Sequence, residues 1–161
     1  MNDTLTTLVP AGFVELPMRS GFMGPNGPLY GRRDGERMVL GFRVEPRHVN
    51  PRDVCHGGML MLFADMLLPL AARVQADLDD SFFPTISLTT DFLAPAPLGS
   101  WVQGRADVMK VTRNMVFVQG VVEADEVLVA RINGIFKRGG ALEAPGLVDL
   151  RELFGRGAAA S

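Results

Sequence analysis

The sequence predicts an α+β fold in which an antiparallel sheet wraps around one long central helix, and two observations predict it. Met59 to Ala72 is rich in strong helix formers and apolar nearly all round, so it has to be enclosed on most sides. After Pro84 the apolar period changes to two, and the strands that follow are joined by turns short enough for antiparallel hairpins. A run of strands with one apolar helix inserted near its start packs most simply as a sheet around that helix.

Taken in order, residues 1–27 mix glycine, proline and polar side chains with a few apolar anchors (Phe13, Leu16, Phe22, Met23) and read as an irregular N-terminal segment. A hairpin follows, with Asp34-Gly35 as the turn between Leu29 to Arg32 and Arg37 to Val44. Arg47 to Cys55 has no periodicity and is a loop. Gly57-Gly58 opens the helix, and polar residues return at Arg73, Gln75 and Asp77 to Ser81, where it should surface and end. In the next strand Ile86, Leu88, Thr90 and Phe92 share one face, opposite Thr85, Ser87, Thr89 and Asp91. Pro95 to Gly99 breaks the chain, and Trp101 to Val111, Met115 to Ala124 and Val127 to Lys137 are further strands, separated by turns at Thr112-Arg113-Asn114 and Asp125-Glu126. Residues 28–138 thus form the core domain, and 139–161 a tail with one short helical candidate, Leu147 to Phe154.

At 161 residues there is room for one well-cored domain rather than two. Apolar residues at 47% and charged residues at 21% describe a globular protein, and a net charge of -2 gives no overall footprint for nucleic acid. Cys55 is the only cysteine, so one chain can form neither an internal disulfide nor a multi-cysteine zinc site. Met59 to Ala72 falls short of the roughly 20 residues of a membrane span and is interrupted by Asp65 and Pro69. The start, Met1-Asn2-Asp3-Thr4, lacks the pattern of a secretory signal, so a cytoplasmic location is expected, with no membrane partner.

Asp65 is the most informative residue, because a carboxylate within an apolar helix costs several kcal/mol to bury unless something satisfies it. The commoner role of a helical aspartate is a structural cap. The other is functional: a carboxylate in an apolar cleft can act as nucleophile or general base, its basicity raised by desolvation. His56-Gly57-Gly58 stands at the expected helix N-terminus, where unpaired amides and the positive end of the helix dipole can hold a developing oxyanion. Taken singly, that motif is also a plain tight turn. His56 and Asp65 are nine residues apart, roughly 13 Å along a helix at 1.5 Å per residue, too far to act on one carbon. If both act on the same bond, they come from two subunits across a twofold axis. Pro69 removes the N–H that would bond the Asp65 carbonyl and could bend the helix. Cys55 beside His56 is a packed thiol rather than a nucleophile, because adjacent loop residues seldom align for activation.

On these residues the sequence resembles the hotdog-fold thioesterases of the 4-hydroxybenzoyl-CoA superfamily, of the phenylacetate-degradation type with an aspartate on the central helix. The resemblance spans about residues 28 to 138. It rests on Gly27-Pro28-Leu29-Tyr30, His48-Val49-Asn50, His56-Gly57-Gly58 followed by Asp65, and Asp91-Phe92-Leu93-Ala94-Pro95-Ala96. It implies a sheet of five or six antiparallel strands around the helix, paired edge to edge in a homodimer that could double to a tetramer. It further implies that the Gly57 amide polarises a thioester carbonyl, with Gly58 beside it and with His56 and Asn50 fixing the loop or a water. Asp65 of the partner subunit would attack the carbonyl or activate water, with the Thr85 hydroxyl supporting it. The substrate would be an acyl-CoA with a medium-chain or aromatic acyl group; Arg113, Lys137 and Arg138, at strand ends, are the candidates for its phosphates, their alternative being plain solvated turn charges. Coenzyme A enters as part of the substrate, and no metal or other cofactor is implied. The family's loop carries a glycine three residues before the histidine, where this sequence has Asp53. A non-catalytic acyl-CoA-binding module of the same fold is the alternative, because fold does not fix function. The dehydratases of this fold use a histidine on a proline-rich loop that has no counterpart here.

Overall fold

The long apolar helix forms as expected: α2 spans Gly57–Gln75 and runs unbroken through Pro69. His56 caps its start, with the side chain accepting a hydrogen bond from the Gly58 amide. At its end Asp77 takes the left-handed conformation that usually falls to glycine there, with φ 53. The computed structural model describes residues 8–19, 21–78, 82–140 and 153–154.

Around α2 the chain forms β1 (Val14–Glu15), α1 (Met23–Asn26), β2 (Tyr30–Asp34), β3 (Arg37–Arg43), β4 (Thr85–Phe92), β5 (Trp101–Val111), β6 (Met115–Ala124) and β7 (Val127–Lys137). All seven strands join one sheet in the order β1-β2-β3-β5-β6-β7-β4, every neighbouring pair antiparallel. Seven exceeds the expected five or six. The addition is the two-residue β1, drawn from the N-terminal segment read as irregular, whose Val14 pairs with Gly31 and Glu15 with Tyr30. The expected hairpin forms with its turn one residue later than Asp34-Gly35: Asp34 pairs with Arg37, and Gly35-Glu36 makes the turn, with Gly35 at φ 61.

The sheet curls over α2, and Phe63, Ala64, Leu67 and Leu68 are fully buried beneath it. Burying each of the larger three is worth roughly 1.5–3 kcal/mol. Close contact is possible because Gly104, mid-strand in β5, has no side chain: a Cβ there would fall 2.5 Å from Leu67 Cδ2. This enclosure accounts for the helix's hydropathy. At 19 residues and a mean hydropathy of 1.5, α2 is long and apolar enough to cross a membrane, contrary to the expectation from its shorter apolar stretch, but it serves here as a core helix. The expected helix Leu147 to Phe154 lies outside the described residues except for helical Leu153 and Phe154, which pack against the core.

Candidate active site

One stripe of α2 escapes the sheet. Gly58, Met61, Leu62, Asp65, Met66 and Pro69 retain exposure, while Met59, Leu60, Phe63, Ala64, Leu67 and Leu68 are buried. Spacings of three and four place the exposed set on one helix face. Asp65 is therefore a half-buried carboxylate among methionine, leucine and proline, facing the side on which the sheet stops. The strand at that side is β4, the end of the sheet order.

β4 holds Asp65 through Thr85, whose hydroxyl donates to Asp65 Oδ1 at 2.7 Å. Strict alternation from Ile86, Leu88, Thr90 and Phe92 would turn Thr85 outward, away from the helix. A register shift between Thr85 and Ser87 reverses this: Thr85 pairs with buried Phe136, Ser87 with Ile135, and Ile86 becomes the extra residue. Among the described residues nothing donates to Oδ2, which is left for a substrate or water. At the other end of β4, Phe92 packs on Gly57 at the head of α2. Eight residues of helix, about 12 Å, thus separate the Gly57 amide from Asp65 in one subunit, as the sequence implied.

The loop before α2 is shaped by polar side chains. Asn50 Oδ1 accepts from the Arg52 amide at 2.9 Å, and the Asn50 carbonyl accepts from the Asp53 amide. Asp53 keeps the left-handed conformation of the glycine it stands in for, with φ 56, which aspartate tolerates better than most residues. His56 Nδ1 takes the Gly58 N–H at 2.9 Å, so Gly58 is occupied as a donor, whereas the Gly57 N–H has no acceptor among the described residues. His56 and Asn50 thus act on the loop, and Gly57 is the free donor at the positive end of the helix.

His48 was expected only as part of the motif, and its role is structural. It is buried, its Nδ1 accepts the Glu45 amide, and Nε2 lies 3.1 Å from the Asn26 carbonyl. A neutral ring that accepts at Nδ1 carries its proton on Nε2, so it donates to Asn26, and the Arg47 Nε at 3.3 Å is a contact rather than a donor to that nitrogen. Burial and the neighbouring Arg47 guanidinium push its pKa below 6.5, favouring this neutral form. Its carbonyl in turn accepts the His56 amide.

Cys55 is buried, and burial pushes its thiol up to about 12, which keeps it protonated and unsuited to nucleophilic attack. Arg113, Lys137 and Arg138 stand where β5 and β7 end and β6 begins: Arg138 Nη1 donates to the Thr112 carbonyl, and the Lys137 amide donates to the Pro84 carbonyl, next to Thr85. They stand at the Asp65 end of β4, away from Gly57. Among the described residues no three His, Cys, Asp or Glu side chains converge as a metal set.

The model of the thioesterase superfamily matches residues 53–130. A Pseudomonas aeruginosa protein named "putative esterase" is 31% identical over 129 residues, covering 80% of this chain and 96% of its own. The chain belongs to the thioesterase superfamily. That membership brings thioester hydrolysis as the class of reaction, and the matched span contains His56, Gly57, Gly58, Asp65, Thr85 and Arg113. The PaaI protein of the phenylacetic acid degradation operon of E. coli superposes with a TM-score of 0.60 at 22% identity, covering 70% of this chain and 81% of that one. A hypothetical thioesterase of Streptococcus pneumoniae, solved with coenzyme A, gives 0.61 at 14% identity, over 70% and 87%. Both share the hotdog fold with this superfamily member.

Proposed function

We propose that this protein is an acyl-CoA thioesterase that hydrolyses medium-chain or aromatic acyl-CoA to free acid and coenzyme A at a site shared by two copies of the chain. The observation that carries the proposal is the pairing of an unoccupied Gly57 amide with a carboxylate on the uncovered stripe of the same helix, about 12 Å away. β4 supports the two-copy arrangement: its eight residues form an open edge beside that stripe, and a free edge is a template for pairing with a second chain. Antiparallel pairing of two such edges about a twofold axis would bring Asp65 of one copy toward Gly57 of the other. The coenzyme A in the Streptococcus pneumoniae relative supports the substrate class.

In this scheme the thioester carbonyl oxygen accepts the Gly57 N–H, and the helix dipole favours the charge that develops there. Asp65 takes a proton from water as the water oxygen bonds to the carbonyl carbon, or bonds to that carbon itself. Collapse of the tetrahedral species breaks the C–S bond, and the thiolate leaves as coenzyme A once protonated. On the second route water then hydrolyses the acyl-aspartate. Thr85 holds the carboxylate by one oxygen and leaves the other for the reaction. Arg113, Lys137 and Arg138 are assigned to the phosphates. The proposal includes a cytoplasmic location and no cofactor beyond the coenzyme A of the substrate.

The test is release of free thiol from a panel of acyl-CoA esters. Asp65→Asn is expected to lower kcat by about 10²–10⁴-fold while binding of the ester survives. Binding without hydrolysis of any ester, or full turnover by Asp65→Asn, would overturn the proposal.

A further inference from the structure

The geometry points to Phe92 as the residue that selects which acyl groups reach the Gly57 amide, an inference that rests on the thioesterase reading. Phe92 ends β4 on the inner face of the sheet, paired with fully buried Ala130, yet it is 52% exposed. A large ring on the core side with so much open surface is only partly covered by the described residues. Its tip lies against the head of α2: a Cβ on Gly57 would fall 3.2 Å from Phe92 Cζ and 3.6 and 3.7 Å from the two Cε atoms. A carbonyl that reaches the Gly57 N–H therefore does so alongside this ring.

Phe92 and Gly57 line an open cavity of about 350 Å³, whose wall is continued by Cys55, Leu60, Ala94 and Ala96. No charged side chain lines it, and Cys55 stays protonated, so the cavity is unsuited to the coenzyme A phosphates. The pantetheine arm carries two amides, for which these side chains offer no strong partner. The apolar portion of the substrate, the acyl group, matches the wall. The volume is at the low end of small-molecule sites, roughly 300–1,000 Å³, so a change of a few carbons at position 92 should be felt by the ligand.

The experiment compares unsubstituted protein with Phe92→Ala and Phe92→Trp by two readouts. One is the ratio of kcat/KM for decanoyl-CoA to that for butyryl-CoA. The other is the ratio of affinities for the S-decyl and S-butyl thioethers of coenzyme A, which bind without being cleaved. Phe92→Ala is expected to move both ratios about tenfold toward the long chain, and Phe92→Trp to move them in the opposite direction. Because Phe92→Trp keeps the aromatic surface, it scores the inference even if Phe92→Ala weakens the fold or assembly. Ratios that stay within about twofold in Phe92→Trp and in any folded Phe92→Ala protein overturn the role of Phe92, whatever happens to absolute rates. Shifted thioether ratios in a protein that hydrolyses nothing would instead retain the role of Phe92 and remove the hydrolase reading. No binding of either thioether would overturn both.

Discussion

At one side the sheet ends in Val14–Glu15, two residues long; at the other it ends in Thr85–Phe92, eight residues long. The short edge is managed by its surroundings. Phe13 packs edge-on to Trp101, Arg32 lies over the Phe13 ring, and Arg43 sits over Trp101, so the N-terminal segment is pinned across β2, β3 and β5. Among the described residues the long edge has no such cover. Ile86, Phe92 and Leu93 are each more than half exposed, and the single charge of β4, Asp91, is committed to Arg131 in an ion pair on the outer face. A chain that needed only stability would blunt both edges. An open edge beside Asp65 and Gly57 supports the proposed site shared between copies.

The largest effect should come from blunting the open edge. Ile86→Lys with Thr89→Lys is expected to convert the assembled protein to monomer and to lower turnover by about 10²-fold or more. Val14→Lys, at the short edge, should change neither. Size-exclusion chromatography with light scattering, alongside the thiol-release assay, reads both; full activity in a monomeric lysine variant would end the shared-site reading.

A smaller effect tests how the open edge holds its carboxylate. Thr85→Val removes one hydrogen bond to a charged group and is expected to cost about tenfold in kcat with KM little changed, while Thr85→Ser restores most of it. Equal rates for Thr85→Val and Thr85→Ser would show that the hydroxyl does not matter.

His48 ties the two regions together, because it bonds the Asn26 carbonyl of the N-terminal segment and the His56 amide of the site loop. Its folded pKa is depressed, so the unfolded chain binds the proton more readily. Its contribution to stability is complete above the ordinary value of 6.5 and is lost as pH falls below it. Denaturant unfolding at pH 7.5 and 5.5 should show that loss, and His48→Gln should flatten the slope in that window. An unchanged slope would separate His48 from the pH response. The smallest effect is expected at Cys55: with its thiol pushed up to about 12, iodoacetamide at pH 8 should leave native activity within about twofold. Rapid inactivation by alkylation of Cys55 would reopen the thiol as a reacting group.

Much of this was legible in the chain itself. The apolar helix, the first hairpin to within one residue of its turn, the hairpin-linked strands and the anomaly of Asp65 follow from local periodicity and from the cost of burying charge, both of which are written in neighbouring residues. The left-handed Asp53 could be anticipated only from the resemblance, whose loop carries glycine at that place. One feature of the site was expected only from the resemblance, and one not at all. Alternation turns Thr85 away from Asp65, because a one-residue register shift leaves no mark on the pattern that it inverts, and the resemblance alone set its hydroxyl beside that carboxylate. Phe92 read as one more core-facing strand residue, because only the packing of β4 against α2 sets its ring beside Gly57.

The sequence by itself determined the elements, the enclosure of α2 and the distance that forbids Gly57 and Asp65 of one copy from sharing a carbon. All three depend on spacing along one chain. The tertiary structure decided which edge stays open, which way Thr85 points and what stands over the helix N-terminus. These arise from contacts between residues far apart in sequence, where bulges and edge positions are set by how the whole sheet closes on the helix.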